Sequence, residues 1–290
     1  MKLGISSYSY GGRYRKDEFT IYDAIKHAAE TGFDCFEFTD FNFAPPEGES
    51  AMERAKKILD VAQTAGIEIN AYLIGADFLY GQGQDGSPEK EVERVKKQID
   101  IAKMLGVSMF RHDSCSGFRN VPRKTYKDAI ELIAPGIREV AEYAASLGIK
   151  TMTENHGYFI QDSHRLVELV KAVNHENYGI LIDMGNFLCA DENPVTAVEN
   201  CAPFAMHAHA KDFLYKPFSN GHPGDGWFGT RQSNFLRGTI VGHGVVPIPQ
   251  CISILKKFGY TGTLAYEFEG AEDVLAAITR GFKYLRKVTE

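Results

Sequence analysis

Residues 150–183 read KTMTENHGYFIQDSHRLVELVKAVNHENYGILID. The stretch holds a β-rich segment, Lys150–Glu154, an amphipathic helical segment, Ser163–Val173, and a second β-rich segment, Gly179–Asp183. A strand, a helix and a strand in this order predict a βαβ unit with two parallel strands. Each predicted strand ends in a carboxylate. Because the carboxyl ends of parallel strands lie at one edge of a sheet, we expect both acids at that edge.

The same unit recurs along the whole chain. The predicted strands are Lys2–Tyr8, Asp34–Phe38, Glu68–Leu73, Val107–Arg111, Ile149–Glu154, Gly179–Asp183, Ala205–His209 and Thr263–Glu267. The predicted helices are Ile21–Thr31, Ser50–Ala65, Glu89–Leu105, Tyr126–Leu147, Ser163–Val173, Pro194–Asn200, Pro249–Phe258 and Glu272–Lys287. Eight alternations fit a closed barrel or an open doubly wound sheet. The count of eight and the absence of a linker favour a single-domain α/β fold, a (β/α)8 TIM barrel over residues 1–290.

The composition is that of an ordinary soluble protein. Of 290 residues, 44% are hydrophobic and 24% are charged, and the net charge is −6. Since basic residues are scattered among acidic ones, we expect neither a nucleic-acid nor an anionic-membrane surface. The five cysteines include no C-x-x-C pair, the N-terminus MKLGISSYSY lacks a signal-peptide pattern, and no apolar run approaches about 18 residues. These features predict a soluble, cytoplasmic protein.

Four consecutive predicted strands end in side chains that bind metals. They are Glu154, Asp183, His209 and Glu267. In a barrel these strand ends form one arc, and burying three acids together without a cation is costly because like charges repel. Three carboxylates and an imidazole favour one divalent ion, with Mn²⁺ preferred over Mg²⁺, Co²⁺ or Zn²⁺. The alternative is that each residue separately forms a salt bridge or caps a loop.

Three loops after predicted strands are unusually long. They are Gly75–Pro88, Asp113–Lys124 and Phe213–Pro247. Loops beyond about 12–15 residues are usually functional or disordered, and in a barrel these three lie on the rim where active sites are built. The long rim loop, residues 213–247, contains Trp227 and Arg231, a composition more typical of a folded lid than of a disordered tail. A subunit contact is the other interpretation of this loop.

Five motifs carry a resemblance to a known family. They are TENH (Thr153–His156), LIDMGN (Leu181–Asn186), HAHAKD (His207–Asp212), GHGVVPIP (Gly242–Pro249) and GYTGTLAYEFEG (Gly259–Gly270). On these motifs the chain resembles the xylose-isomerase-like barrels, which include sugar isomerases and epimerases, inosose dehydratases and abasic-site nucleases of the endonuclease IV type. The resemblance implies that Glu154, Asp183, His209 and Glu267 hold the metal. It also implies that Glu154 and Glu267 move protons in catalysis, while His207 lies deeper on the same strand.

The chain departs from the ketose 3-epimerases of this family at three positions. Asn186 stands where they carry a histidine, Tyr215 where they carry an arginine, and Ile160 where they carry a glutamate. The groups that bind substrate oxygens must therefore differ here. The candidates for substrate binding are His156, Lys211, Asn186, His112, Arg111, Glu37, Trp227 and Arg231.

The expected activity is that of a metal-dependent sugar or polyol isomerase or epimerase with an enediolate intermediate. A dehydratase or a lyase that cleaves C-glycosides would use the same groups, and a polyol-binding or partner subunit without turnover is a third interpretation. An abasic-site endonuclease is disfavoured, because that branch needs more histidines and a surface for phosphates. The expected partner is a small sugar or polyol, and a homo-oligomer is compatible with the sequence.

Overall fold

The computed structural model describes residues 1–14, 19–83, 85–119 and 121–290. The strands within them are β1 (Lys2–Ser6), β2 (Cys35–Thr39), β3 (Glu68–Ile74), β4 (Met109–His112), β5 (Lys150–Glu154), β6 (Tyr178–Asp183), β7 (Ala205–Ala210), β8 (Asp212–Lys216), β9 (Phe228–Gly229), β10 (Phe235–Thr239) and β11 (Thr263–Tyr266). Strands β1 to β7 and β11 close a barrel in the order β1-β11-β7-β6-β5-β4-β3-β2, and all neighbours are parallel. The prediction of a single eight-stranded barrel is confirmed.

The helices pack around this barrel. They are α1 (Gly11–Tyr14), α2 (Ile21–Thr31), α3 (Asp40–Phe43), α4 (Ala51–Ala65), α5 (Pro88–Met104), α6 (Tyr126–Ser146), α7 (Ser163–Val173), α8 (Pro194–Cys201), α9 (Ile248–Lys257) and α10 (Val274–Thr289). All eight predicted helices are present, and α1 and α3 are additional single turns. Among the described residues, no helix combines the length and the apolar composition needed to cross a membrane.

Local sequence signals explain where these helices begin and end. Ser50 and Glu53 form a reciprocal capping box that satisfies backbone N–H groups at the start of α4. The same helix ends at Gly66, whose φ of +74° is the left-handed conformation that favours glycine. The turn after each helix then leads directly into the next strand, which keeps the alternation regular.

Strand register determines which side chains meet at the carboxyl edge of the barrel. Asp183 at the end of β6 is directly opposite His209 in β7. His209 is in turn opposite Ala265 in β11, two residues before Glu267, and the Glu267 N–H donates to the carbonyl of Ala210. The strands are almost entirely buried, as expected for a parallel sheet covered by helices. The barrel therefore places acidic and imidazole groups side by side at one buried level.

The segment predicted as a long rim loop, residues 213–247, is a folded lid. Strands β8, β10 and β9 form an antiparallel sheet within it. Only Lys211 separates the end of β7 from the start of β8, so the lid continues directly from a barrel strand. Arg231 fastens the lid to the loop before α7, because its Nη1 donates to Asp162 Oδ2 at 2.8 Å and its Nη2 donates to the carbonyl of Tyr158.

Candidate metal centre and active-site cavity

Four side chains meet at the carboxyl end of the barrel. Glu154, Asp183, His209 and Glu267 are all buried, and each offers one ligand atom such that these atoms lie within 4.8 Å of one another. They come from β5, β6, β7 and the residue after β11, as strand ends in the sequence suggested. Because strand ends are fixed by the barrel's hydrogen-bond ladder, this cluster is rigidly positioned.

His209 lies between two sets of carboxylates. Its Nε2 lies 2.7 Å from Glu37 Oε1, while its Nδ1 lies 3.7 Å from Glu267 Oε1 and 3.9 Å from Asp183 Oδ2. Glu37 also accepts a hydrogen bond from His207 Nε2 at 2.7 Å. Burial alone would raise the pKa of Glu37, but the two imidazoles lower it to about 2. Glu37 thus orients the His209 ring so that one nitrogen faces the other carboxylates.

Asp183 has one satisfied oxygen and one unsatisfied oxygen. Its Oδ1 accepts hydrogen bonds from the N–H groups of Gly185 and Asn186 at 2.8 and 2.9 Å. Its Oδ2 is buried and makes no hydrogen bond, as is also the case for His209 Nδ1. Burial raises the pKa of Asp183 to about 6, although the Lys211 ammonium opposes this. Two buried atoms without a hydrogen bond, 3.9 Å apart and beside further carboxylates, are ligand atoms that a divalent cation takes.

Lys211 supplies a positive charge inside the cluster. Its Nζ lies 2.6 Å from Glu267 Oε2, 3.3 Å from Asp183 Oδ2 and 3.6 Å from Glu269 Oε2, and the residue is only 4% exposed. Burial opposes its charge, but these carboxylates raise the pKa of Lys211 well above its ordinary value. Conversely, burial would raise the pKa of Glu267, but Lys211 and His209 hold it well below its ordinary value.

Glu154 is held by polar groups on both of its oxygens. Asn186 Nδ2 donates to Oε1 at 2.8 Å, and Arg111 Nε lies 2.8 Å from Oε2. Arg111 also pairs with Asp113 at 2.8 Å, and Asp113 contacts His156 Nδ1 at 3.0 Å. Asp113 raises the pKa of His156. This chain of contacts connects Glu154 to the outer wall of the site.

A cavity of about 420 Å³ opens above the cluster. Glu154 and Glu267 line this cavity, whereas Asp183 and His209 lie behind them and are 0% exposed. Four of the predicted substrate-binding residues also line it, namely Arg111, His156, Asn186 and Lys211. The arrangement presents two carboxylates and one ammonium to any molecule that enters.

The other four predicted substrate contacts do not reach this cavity. Glu37 is buried beneath His209, and His112 is buried against Tyr178 with its ring stacked at 5.9 Å. Trp227 lies in the lid, where Lys216 and Arg237 pack over its ring. Arg231 is committed to the ion pair that fastens the lid. None of these four residues lines the cavity, because each side chain is engaged elsewhere, and their contact with a substrate stays a prediction.

Several lining residues were missed by the sequence analysis. Tyr8, Asp40 and Phe41 follow the first two strands, and Asp113 follows the fourth. Asp113 carried the same signal as the metal-binding candidates, an acid directly after a strand. Tyr8 and Phe41 carried no distinguishing signal, since an aromatic residue after a strand is usually part of the core.

Comparison with known proteins identifies the family. The family model described as a xylose isomerase-like TIM barrel matches residues 25–288.

The chain belongs to this family.

Among curated relatives, the 3-oxo-isoapionate decarboxylase of Pectobacterium atrosepticum is 24% identical over 243 residues, which cover 82% of this chain and 76% of the relative. The inosose dehydratase of Clostridium botulinum is 24% identical over 166 residues, which cover 54% of this chain and 53% of the relative. The chain thus spans about half the length of this dehydratase.

A solved structure shows the same fold. The IOLI protein with a bound zinc atom superimposes with a TM-score of 0.77 at 17% identity, covering 100% of this chain and 98% of that chain. At this identity the likeness demonstrates the barrel alone. Members of the family include enzymes that modify sugars, among them dehydratases and epimerases.

Proposed function

We propose that this protein is a metal-dependent isomerase or epimerase of a small sugar or polyol, which removes a proton from a carbon next to a carbonyl group. One observation carries the proposal. Glu154 and Glu267 both line the cavity and both belong to the four-residue cluster, so two carboxylates face the same bound molecule. General acid–base chemistry needs such groups within hydrogen-bond reach of the carbon's proton.

The residues present fit one divalent cation. Glu154, Asp183, His209 and Glu267 would hold it, and the lack of a hydrogen bond to Asp183 Oδ2 and His209 Nδ1 supports that assignment. We propose Mn²⁺, although Mg²⁺, Co²⁺ or Zn²⁺ is compatible with three carboxylates and one imidazole. The cation would polarise the substrate carbonyl and stabilise the negative charge of the enediolate.

The protein's own residues would perform the proton transfers. One of the two carboxylates accepts the proton from the substrate carbon, and the other returns a proton to the same carbon or to its neighbour. Lys211 remains beside Glu267 and places an ammonium near the oxygen where negative charge develops. Arg111 and Asn186 hold Glu154 in one orientation, so its oxygens do not turn away during the reaction.

Deuterium incorporation tests this proposal. A panel of keto-sugars and keto-polyols in D₂O with Mn²⁺, followed by NMR, should show deuterium on the carbon next to the carbonyl. Glu154→Gln and Glu267→Gln should each slow incorporation by about 10²–10⁴-fold. The control is Tyr215→Phe, an exposed lid residue that does not line the cavity. Wild-type protein that binds Mn²⁺ and polyol but incorporates no label would instead be a polyol-binding subunit.

Elimination is the second candidate, and Lys211 favours it. Its buried ammonium lies 2.6 Å from Glu267 and lines the same cavity. Glu267 would take the carbon's proton, the carbon–oxygen bond at the β position would break, and Lys211 would protonate the departing hydroxyl so that water leaves. Lys211→Met should then abolish dehydration while deuterium exchange persists. Loss of both together would contradict a separate role for Lys211 in the departure of water, and dehydration that persists in Lys211→Met would show that another group protonates the hydroxyl.

A further inference from the structure

A second cavity adjoins the active-site cavity on the same rim. Its volume is about 470 Å³, and we call it the side cavity. Tyr8, Phe41 and Glu269 line both cavities, so the two share a wall. The Tyr8 hydroxyl donates to Glu269 Oε2 at 3.3 Å within this wall. A substrate held over Glu154 and Glu267 could therefore extend a substituent past these three side chains.

Aromatic side chains form much of the side cavity. Tyr8, Tyr14, Phe41 and Phe268 line it, together with Val274. Tyr8 is 37% exposed and Phe41 is 60% exposed, although both are large rings beside a polar site. Exposed aromatic surface next to a cavity is typical of a ligand-binding site, because ring faces pack well against other planar groups.

The polar groups of the side cavity disfavour an anionic occupant. Glu269 contributes negative charge, and no lysine or arginine lines the cavity among the residues that the structure describes. The Ser9 hydroxyl is already engaged, since it donates to the carbonyl of Tyr266 and accepts from the N–H of Phe268. Among the described lining residues, a phosphate or carboxylate would therefore meet the Glu269 carboxylate and no lysine or arginine, whereas a neutral ring would only displace water.

We propose that the side cavity binds a neutral aromatic substituent of the substrate. This inference rests on the proposed function, because the sugar or polyol part must occupy the active-site cavity. The substrate class is then a keto-sugar or keto-polyol that carries an aromatic substituent on a carbon other than the carbonyl carbon, and an unsubstituted sugar would occupy the active-site cavity alone. Tyr8, Phe41 and Glu269 would lie beside the bond that joins the sugar part to the aromatic part.

Two fluorinated probes test the proposal by ¹⁹F NMR. 4-Fluorophenol should bind the wild-type protein. The dissociation constant of 4-fluorophenyl glucoside should be at least tenfold lower than that of glucose, which is measured by the displacement of the fluorinated glucoside by glucose. Val274→Trp should weaken binding of both probes at least tenfold, because Val274 lines the side cavity but not the active-site cavity. The matched control Val274→Ala, which keeps the cavity open, should retain both.

A second blocking variant guards against misfolding. A Cβ built at Gly12 lies 3.4 Å from Val274 Cγ2 and both residues line the side cavity, so Gly12→Leu should narrow the same part of the cavity from α1 instead of α10. Equal probe binding by wild-type protein and both blocking variants would overturn the proposal. So would a glucoside that binds no more tightly than glucose.

The two proposals fail in different ways. If no sugar incorporates deuterium but 4-fluorophenol binding still depends on Val274, the proposed reaction is wrong and the side cavity remains an aromatic site. If deuterium incorporation proceeds on free sugars while the blocking variants leave probe binding unchanged, the reaction stands and the aromatic subsite is wrong.

Discussion

His209 depends on a residue that belongs to the opposite side of the barrel. Glu37 comes from β2, and its carboxylate lies 2.7 Å from both His207 Nε2 and His209 Nε2. From its place near the end of a predicted strand, Glu37 was expected to help build the pocket floor or to bind a substrate hydroxyl. The position of Glu37 along the barrel axis could not be predicted from where its strand ends, because that position depends on the stagger between neighbouring strands. In the structure, Glu37 contacts both imidazoles and orients the ring of His209.

Glu37→Gln is expected to weaken Mn²⁺ binding by about 10–100-fold, since an amide orients the His209 ring but supplies no negative charge. Isothermal titration calorimetry measures this change. Glu68→Gln is the matched control, because Glu68 begins β3 at the opposite end of the barrel and pairs with Lys2 at the surface. Unchanged affinity in Glu37→Gln would show that the Glu37 charge does not act through His209.

At the scale of elements, one buried acid organises the loop between β3 and α5. Glu91 in α5 is 1% exposed, and its oxygens accept from the N–H groups of Asp77 and Gln82 at 2.8 and 3.2 Å. Arg94 pairs with the same carboxylate at 2.9 Å and donates to the carbonyl of Gly75. In the sequence, Glu91 is one of two acidic residues at the start of the predicted helix Glu89–Leu105. Its role as a loop brace requires contacts that only the fold supplies.

Glu91→Gln is expected to lower the free energy of unfolding by about 2 kcal/mol at pH 7, because one buried hydrogen bond and the Arg94 pair lose their anionic acceptor. Burial alone would raise the pKa of Glu91, but Arg94 and the loop N–H groups lower it. Because the pKa of Glu91 is lower in the folded state, its charge stabilises the fold at pH values above the pKa of the unfolded state, about 4.3. This stabilisation is lost as the pH falls through the pKa of the folded state.

Urea unfolding at pH 7 and at pH 3 measures the effect. The difference between wild-type protein and Glu91→Gln should be full at pH 7 and smaller at pH 3. A difference that stays constant between the two pH values would mean that the charge of Glu91 contributes nothing.

The lid is also held by one acidic residue that accepts several backbone hydrogen bonds. Asp212 accepts hydrogen bonds from the N–H groups of Phe213, Gly242, Gly244 and Val246 at 2.9–3.0 Å. A Cβ on Gly244 would lie 2.2 Å from Asp212 Oδ1, which explains the glycines of the GHG motif. The sequence suggested that residues 213–247 are folded, as a lid or a subunit contact, but it did not predict the three-stranded sheet of β8, β9 and β10.

For the whole molecule, the barrel was predictable because eight strand–helix units each carried their own local signals. The cluster of Glu154, Asp183, His209 and Glu267 was predictable for the same reason, since strand ends meet at one edge. Residues such as Tyr8 and Phe41 were not predictable. Their position depends on how the loops between β1, β2 and their helices fold over the rim, and loop conformation carries little sequence pattern.

A bound dication should stabilise the entire barrel, because the cluster joins four of its strands. At 100 times the dissociation constant, Mn²⁺ adds about 2.7 kcal/mol to the free energy of unfolding, and the melting temperature rises by roughly 5–10 °C. Differential scanning fluorimetry with Mn²⁺, and again after EDTA, measures this shift. Asp183→Asn should lose most of it. An identical melting temperature with and without metal would argue against the candidate centre.

The direct continuation of β7 into β8 restricts how this protein can change in length. With only Lys211 between the two strands, one inserted residue there would turn the alternating side chains to the other face and misplace the lysine or the first lid residue. The tip of the lid, residues 217–227, carries no such constraint and lies far along the chain from His209. Homologous chains should therefore differ in length at the tip and keep a constant spacing at the root, and an epitope tag or a fluorescent label belongs at the tip.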